Sequence, residues 1–190
     1  MKELEERIQK DGVVLSEEIL KVNSFFNQQL DVRLIMNMGH EIAHLYENED
    51  ITKIVTIEAS GIAIATAAAV YLDVPVVFAK KSRASTQTGE MLTAEVRSFT
   101  RGNTYTAIIP AAMLAATDRV LLVDDFLAHG AALYGLLSLV GQAGAHVVGC
   151  AIGIEKKFQG GGDRLRAEGL RIDSLAQIVR MSPAEGVVFA

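Results

Sequence analysis

Four β-branched runs, each separated from the next by a segment of different period, leave this chain few architectures to choose from. Ile51 to Glu58, Val74 to Ala79, Arg119 to Asp124 and His146 to Glu155 are short and apolar through their centres, as strands buried on both faces are. Between the first two, Ser60 can cap a helix that runs through an Ala-rich segment to Leu72. Between the last two, Gly130 to Ala143 reads as a helix closed by Gly144. Upstream, Val32, Ile35, Met38, Ile42, Leu45 and Tyr46 recur at steps of three and four, which predicts an amphipathic helix over 31–47. Strand, helix, strand at this spacing is the βαβ unit. The expected class is therefore α/β, a mostly parallel twisted sheet with helices on both faces. At 190 residues, one domain over 1–190 is expected.

Two stretches break the alternation. From Met91 to Thr100 the period is two, with Leu92, Ala94 and Val96 against Thr93, Glu95 and Arg97; Arg101-Gly102-Asn103 then precedes Thr104 to Ile109. That pattern predicts a β-hairpin inserted between sheet strands. Just before it, Lys80 to Glu90 is polar and lacks an apolar anchor, and a loop of that length in a compact domain is usually functional or mobile.

Half of the residues are hydrophobic and 22% are charged, enough to build a core that needs no disulfide or structural metal. The single cysteine, Cys150, lies in the apolar run His146 to Ile152 and is expected to be a buried, reduced thiol. With 18 basic and 23 acidic residues the net charge is −5, which weighs against general affinity for nucleic acid or anionic membranes. The chain is charged from Lys2 onward and has no signal-peptide core there. Its longest apolar stretch, Ile62 to Leu72, is interrupted by Thr66 and is about half of what a bilayer requires. A cytoplasmic protein with neither membrane nor nucleic-acid partner is expected.

In an open parallel sheet, ligands bind at the carboxyl ends of strands where the strand order reverses. Three such ends carry suggestive residues. Val120-Leu121-Leu122-Val123 delivers Asp124 and Asp125, after which Ala128-His129-Gly130-Ala131-Ala132 turns through small residues into a helix. The carboxylates can accept hydrogen bonds from vicinal sugar hydroxyls, and the amides at the helix start can surround a phosphate. The same pair can equally serve only as strand end and helix cap. At the second end, Glu58-Ala59-Ser60-Gly61 suits an anion such as pyrophosphate, or is a simple N-cap. At the third, Lys156 can donate to a base, or be merely solvated. Neither G-x-G-x-x-G nor G-x-x-x-x-G-K-[ST] occurs. His40-Glu41-Ile42-Ala43-His44 matches H-E-x-x-H, but a catalytic zinc also wants a third ligand and a cleft, so solvated histidines on an exposed helix face are expected instead.

Val120 to Gly130 resembles the phosphoribosyl-pyrophosphate signature of the type I phosphoribosyltransferases. Together with Gly12 to Ser16, Leu20-Lys21-Val22, Ile51 to Glu58, Val74 to Ala79 and Ile154-Glu155-Lys156, the chain is similar more narrowly to the bacterial xanthine phosphoribosyltransferases. The resemblance implies the type I fold, with a small hood from about 1–35 and 156–190 and an inserted mobile hairpin loop. It implies transfer of the ribosyl 5-phosphate group from phosphoribosyl pyrophosphate to N9 of xanthine, giving XMP and pyrophosphate with Mg²⁺, in purine salvage, by a cytoplasmic homodimer. It assigns Ala128, His129, Gly130, Ala131 and Ala132 to the 5-phosphate, and Asp124 and Asp125 to the ribose hydroxyls. Glu58, Ala59, Ser60 and Gly61 go to pyrophosphate, and Leu20, Asn27 and Lys156 to the base. Lys80, Lys81 or Arg83 would supply cations for the leaving group, with Mg²⁺ held through the donor's pyrophosphate and hydroxyls rather than by a firm protein ligand.

This sequence departs from the family at the phosphate loop, where Ala128 to Ala132 carries no hydroxyl and His129 stands in place of a small side chain. Backbone amides must then do most of the binding. The alternatives are an enzyme preferring guanine or hypoxanthine, and a regulatory protein of the same fold that senses phosphoribosyl pyrophosphate. The second is disfavoured because no basic helix-turn-helix precedes the sheet.

Overall fold

A computed structural model describes residues 1–82, 89–97 and 104–190. Helix α1 (Lys2–Asp11) leads into a two-stranded ribbon of β1 (Val13–Val14) and β2 (Leu20–Lys21), then a π-helical turn over Asn23–Asn27. Helix α2 (Val32–Leu45) starts where expected because the Asp31 carboxylate accepts from the Leu34 amide at 3.2 Å. Strand β3 (Lys53–Ile57), helix α3 (Gly61–Leu72) and strand β4 (Val76–Ala79) form the first βαβ unit. Strands β5 (Met91–Arg97) and β6 (Thr104–Pro110) pair antiparallel, as the period-two pattern predicts; the expected turn at 101–103 lies outside the described residues. Strand β7 (Arg119–Leu127), helix α4 (Ala131–Gln142) and strand β8 (His146–Lys156) form the second unit. Helix α5 (Gly161–Ala167) and strands β9 (Ile172–Ser182) and β10 (Gly186–Phe189) complete the chain.

The main sheet has the order β10-β9-β8-β7-β3-β4, parallel throughout except for β10 at one edge. It is covered on both faces. Alternate residues of β7 divide between two cores: Leu121 and Val123 join α1, α2 and α3 on one side, while Val120 and Leu122 join α4 and the β5–β6 hairpin on the other. This two-sided burial is why the strand shows no alternation in sequence. The small residues of α3 let α2 come close, since a side chain on Gly39 would overlap the Ala67 backbone. Residues 172–189, expected in the hood, extend the sheet itself, and the N-terminal segment packs on them, with the Met1 ammonium donating to the Leu175 carbonyl.

Two local expectations are corrected. The Ser60 hydroxyl makes no capping bond, because the residue is itself in the right-handed helical region and its side chain cannot face the first-turn amides. Strand β7 runs on through both aspartates to Leu127, because Asp124 and Phe126 continue the ladder with Ile152 and Ile154 of β8.

Candidate active site

The chain leaves β3 towards β4 on one side, whereas β7 lies on the other, so the order reverses between β3 and β7. Their carboxyl ends carry Glu58 to Gly61 and Asp124 to Ala132, and the crevice between them is where a ligand is expected.

Asp124 is buried. Its Oδ1 accepts from the Asp125 amide at 3.0 Å, and burial together with the Asp125 carboxylate pushes its pKa well above the usual carboxylate range; Lys81 acts in the opposite sense. Burial, and then the Asp124 carboxylate, pushes the pKa of the Tyr105 hydroxyl up from the hairpin side. Asp125 is half-buried and receives a hydrogen bond from Asn27 Nδ2 at 3.3 Å. That bond turns the other end of the amide away from the carboxylate, leaving Asn27 Oδ1 buried without a partner. An unmet buried acceptor is costly, and a ligand N–H would satisfy it.

Lys156, at the end of β8, donates to the Glu18 carbonyl at 2.6 Å and lies 5.4 Å from the centroid of the Phe126 ring. Burial lowers its pKa, partly offset by Glu18. With one of three N–H groups used, the ammonium retains donors for a ligand. Leu20 is buried in β2, two residues after Glu18, whose carbonyl this lysine binds.

Across the crevice the Glu58–Ala59 peptide is cis, and Glu58 Oε1 accepts from the Lys81 amide at 2.6 Å. The Lys81 ammonium sits 5.1 Å from the Tyr105 ring centroid, and Lys80 is tied to Ile108 by reciprocal backbone bonds. Arg83 lies outside the described residues. After β7 the chain turns through Ala128 and His129 to Gly130, whose φ of +86° suits glycine, and enters α4 with the first amides of that helix facing outward. His40 and His44 are both exposed, one edge-on to Tyr71 at 5.1 Å, the other bonded to Glu47 at 3.2 Å.

Residues 27–166 match the phosphoribosyl transferase domain. The chain belongs to the phosphoribosyltransferase family. Among its relatives, the xanthine phosphoribosyltransferase of Brevibacillus brevis is 53% identical over 189 residues, covering 100% of this chain and 96% of that protein. The xanthine phosphoribosyltransferase of Heliobacterium modesticaldum is 50% identical, with all of both chains covered. Among solved structures, the adenine phosphoribosyltransferase of Giardia lamblia aligns with a TM-score of 0.77 at 19% identity, over 92% of this chain and 97% of that one, which bears on the fold.

Several residues of this phosphoribosyltransferase were not singled out by sequence. Phe126 sits within the signature itself, yet its role under Lys156 shows only once β7 extends past the aspartates. Glu155, fully buried, is held by Arg166 through two bonds of 2.7 Å, by Ser174 at 2.6 Å and by Gln177 at 3.3 Å. Burial alone would raise its pKa, but these partners hold it below the usual range.

Proposed function

We propose that the protein transfers the 5-phosphoribosyl group from phosphoribosyl pyrophosphate to N9 of xanthine, releasing pyrophosphate and forming XMP in purine salvage. The observation that supports this is the Asn27–Asp125 bond at the end of β7, which leaves a buried acceptor unmet, together with Lys156, a cation with donors to spare that lies 5.4 Å from the ring of Phe126, the residue after Asp125. A 6-oxopurine offers the matching N–H and oxo groups, whereas adenine's amino group would meet the lysine as donor against donor. Relatives named xanthine phosphoribosyltransferase, about half identical along the whole chain, support the choice of base.

In this reading Asp124 and Asp125 accept from the ribose hydroxyls, Ala128 to Ala132 hold the 5-phosphate, and Glu58 to Gly61 with the start of α3 hold the pyrophosphate. Leu20 bounds the base through its backbone. As the C1–oxygen bond breaks and N9 bonds to C1, positive charge grows on the ring and negative charge on the leaving group, while the base proton passes to water. In this reading the two carboxylates answer the charge that grows on the ribose and Lys80 and Lys81 the charge on the leaving group; Arg83, assigned with them by resemblance, lies outside the described residues. The acidic pair also fits a divalent cation. Two adjacent carboxylates offer hard oxygen ligands, which suits Mg²⁺ carried mainly on the donor's own oxygens. Bound there, Mg²⁺ would neutralise charge on the leaving pyrophosphate. A cytoplasmic homodimer belongs to the same reading; among the described residues no helix is long and apolar enough to cross a membrane.

Product formation from phosphoribosyl pyrophosphate with xanthine, guanine, hypoxanthine and adenine supplied one at a time tests this. The highest kcat/KM is expected with xanthine and the lowest with adenine. Turnover of adenine alone would refute the base assignment, and none with any base would point to a sensor.

A further inference from the structure

Helix α5 lies behind the phosphate loop and grips its carbonyls. The Gly161 amide donates to the Ala128 carbonyl at 3.2 Å, and the Arg164 guanidinium donates to the His129 carbonyl at 3.1 Å. Both peptides that follow these carbonyls are trans. In a planar trans peptide the C=O of one residue and the N–H of the next point in opposite directions. Holding the carbonyls of 128 and 129 against α5 therefore turns the N–H groups of His129 and Gly130 away from it, to the opposite side of the loop.

The approach is close because Gly161 has no side chain. A Cβ there would overlap the Ala128 carbonyl oxygen and come within 2.6 Å of the His129 carbonyl carbon and 2.8 Å of the Gly130 nitrogen, all backbone atoms that cannot swing aside. Helix α5 is itself fixed. The buried Glu155 binds Arg166, a side chain on Gly162 would collide with that carboxylate, and Leu165 is buried beneath Gly130. The loop has no hydroxyl side chain to turn towards an anion, so backbone orientation alone sets what it can offer.

We propose that Gly161 and Arg164 are positioning residues for the 5-phosphate of the donor, holding the loop amides in register from behind without touching the ligand. This rests on the assignment of Ala128 to Ala132 to the phosphate. Arg164 is exposed, so Arg164→Ala should fold normally. Its KM for phosphoribosyl pyrophosphate should rise about three- to tenfold, as loss of one solvent-exposed hydrogen bond acting through the loop would give, with kcat and the xanthine KM changed less than twofold. Ribose 5-phosphate, titrated calorimetrically, should bind more weakly by a similar factor, and Arg164→Lys should recover part of it. Gly161→Ala should weaken it further. Gly130→Val, which blocks the loop directly, separates the two assignments. If it weakens ribose 5-phosphate binding while Arg164→Ala and Gly161→Ala do not, the positioning role is refuted and the loop assignment stands. If none of the three weakens it, the loop assignment fails and the positioning role with it. A rise in both KM values together with a fall in melting temperature for Arg164→Ala would also refute the role, as a general structural loss.

Discussion

At the residue scale, Asp124 carries an unusual burden. Burial and the neighbouring Asp125 raise its pKa in the folded protein. A carboxyl whose folded pKa lies above its unfolded value contributes its full stability below the unfolded pKa, and that contribution is lost as pH rises through the folded pKa. Near neutral pH the native state therefore carries a cost that an amide of the same shape does not. Asp124→Asn should melt higher than the parent at pH 7 to 8, and the gap should close as pH falls towards 4. Its kcat/KM should nevertheless drop by roughly ten- to a hundredfold, the worth of a hydrogen bond from a ribose hydroxyl to a charged acceptor. Thermal scans across pH and steady-state rates check both halves; a variant neither more stable nor less active would refute the assignment. The aspartate pair was legible because an apolar strand ending in two carboxylates and a run of small residues is a conspicuous pattern. Asn27 was legible only through family resemblance, since nothing in Asn23-Ser24-Phe25-Phe26-Asn27 reveals that a π-helical turn brings its amide to a carboxylate 98 positions away.

At the scale of elements, strands with two apolar faces and helices of clear period were readable, and α5 and β9 were not. The reason is chemical. Strand β9 spends Ser174 and Gln177 on Glu155, and those polar residues interrupt the apolar run that would mark a buried strand. Helix α5 begins with two glycines, which normally argue against a helix, because both must let backbone or carboxylate come close. The Glu155–Arg166 pair that joins these elements should show in acid. Its depressed carboxyl pKa means stability that is present above the unfolded value of 4.5 and is lost as pH falls through the folded one. Glu155→Gln removes the buried counter-charge of Arg166, leaving it Asp163 at 3.6 Å, and should cost about 3 kcal/mol at pH 7, with the deficit shrinking below pH 4. Denaturant unfolding at both pH values measures it. An equal deficit at both would mean that packing, not charge, holds α5.

For the whole molecule, the sequence pattern implied a parallel sheet but not its order, because β3 pairs with β7 across more than 60 intervening residues and no local signal encodes that pairing. The order matters because it sets the acidic end of β7 beside the end of β3, where pyrophosphate is proposed to bind. It also creates a charge problem. The chain carries −5 overall, two of its aspartates, Asp124 and Asp125, stand in the crevice, and the donor brings a phosphate and a pyrophosphate. Lys80 and Lys81 at the mouth are few against that sum, and bringing uncompensated anions together out of water costs several kcal/mol. A divalent cation on the donor removes the conflict, and one held through the donor's pyrophosphate and hydroxyls should arrive with the donor and not before it. Mg²⁺ alone should thus leave the melting temperature where it is, the donor alone should raise it slightly, and the two together should raise it more than either, as linkage to tighter binding requires. Excess chelator should lower turnover at least a hundredfold and added Mg²⁺ should restore it. Full turnover in chelator, or a melting shift from Mg²⁺ without donor, would mean that the carboxylates and lysines balance the donor's charge unaided or that the protein holds the metal itself.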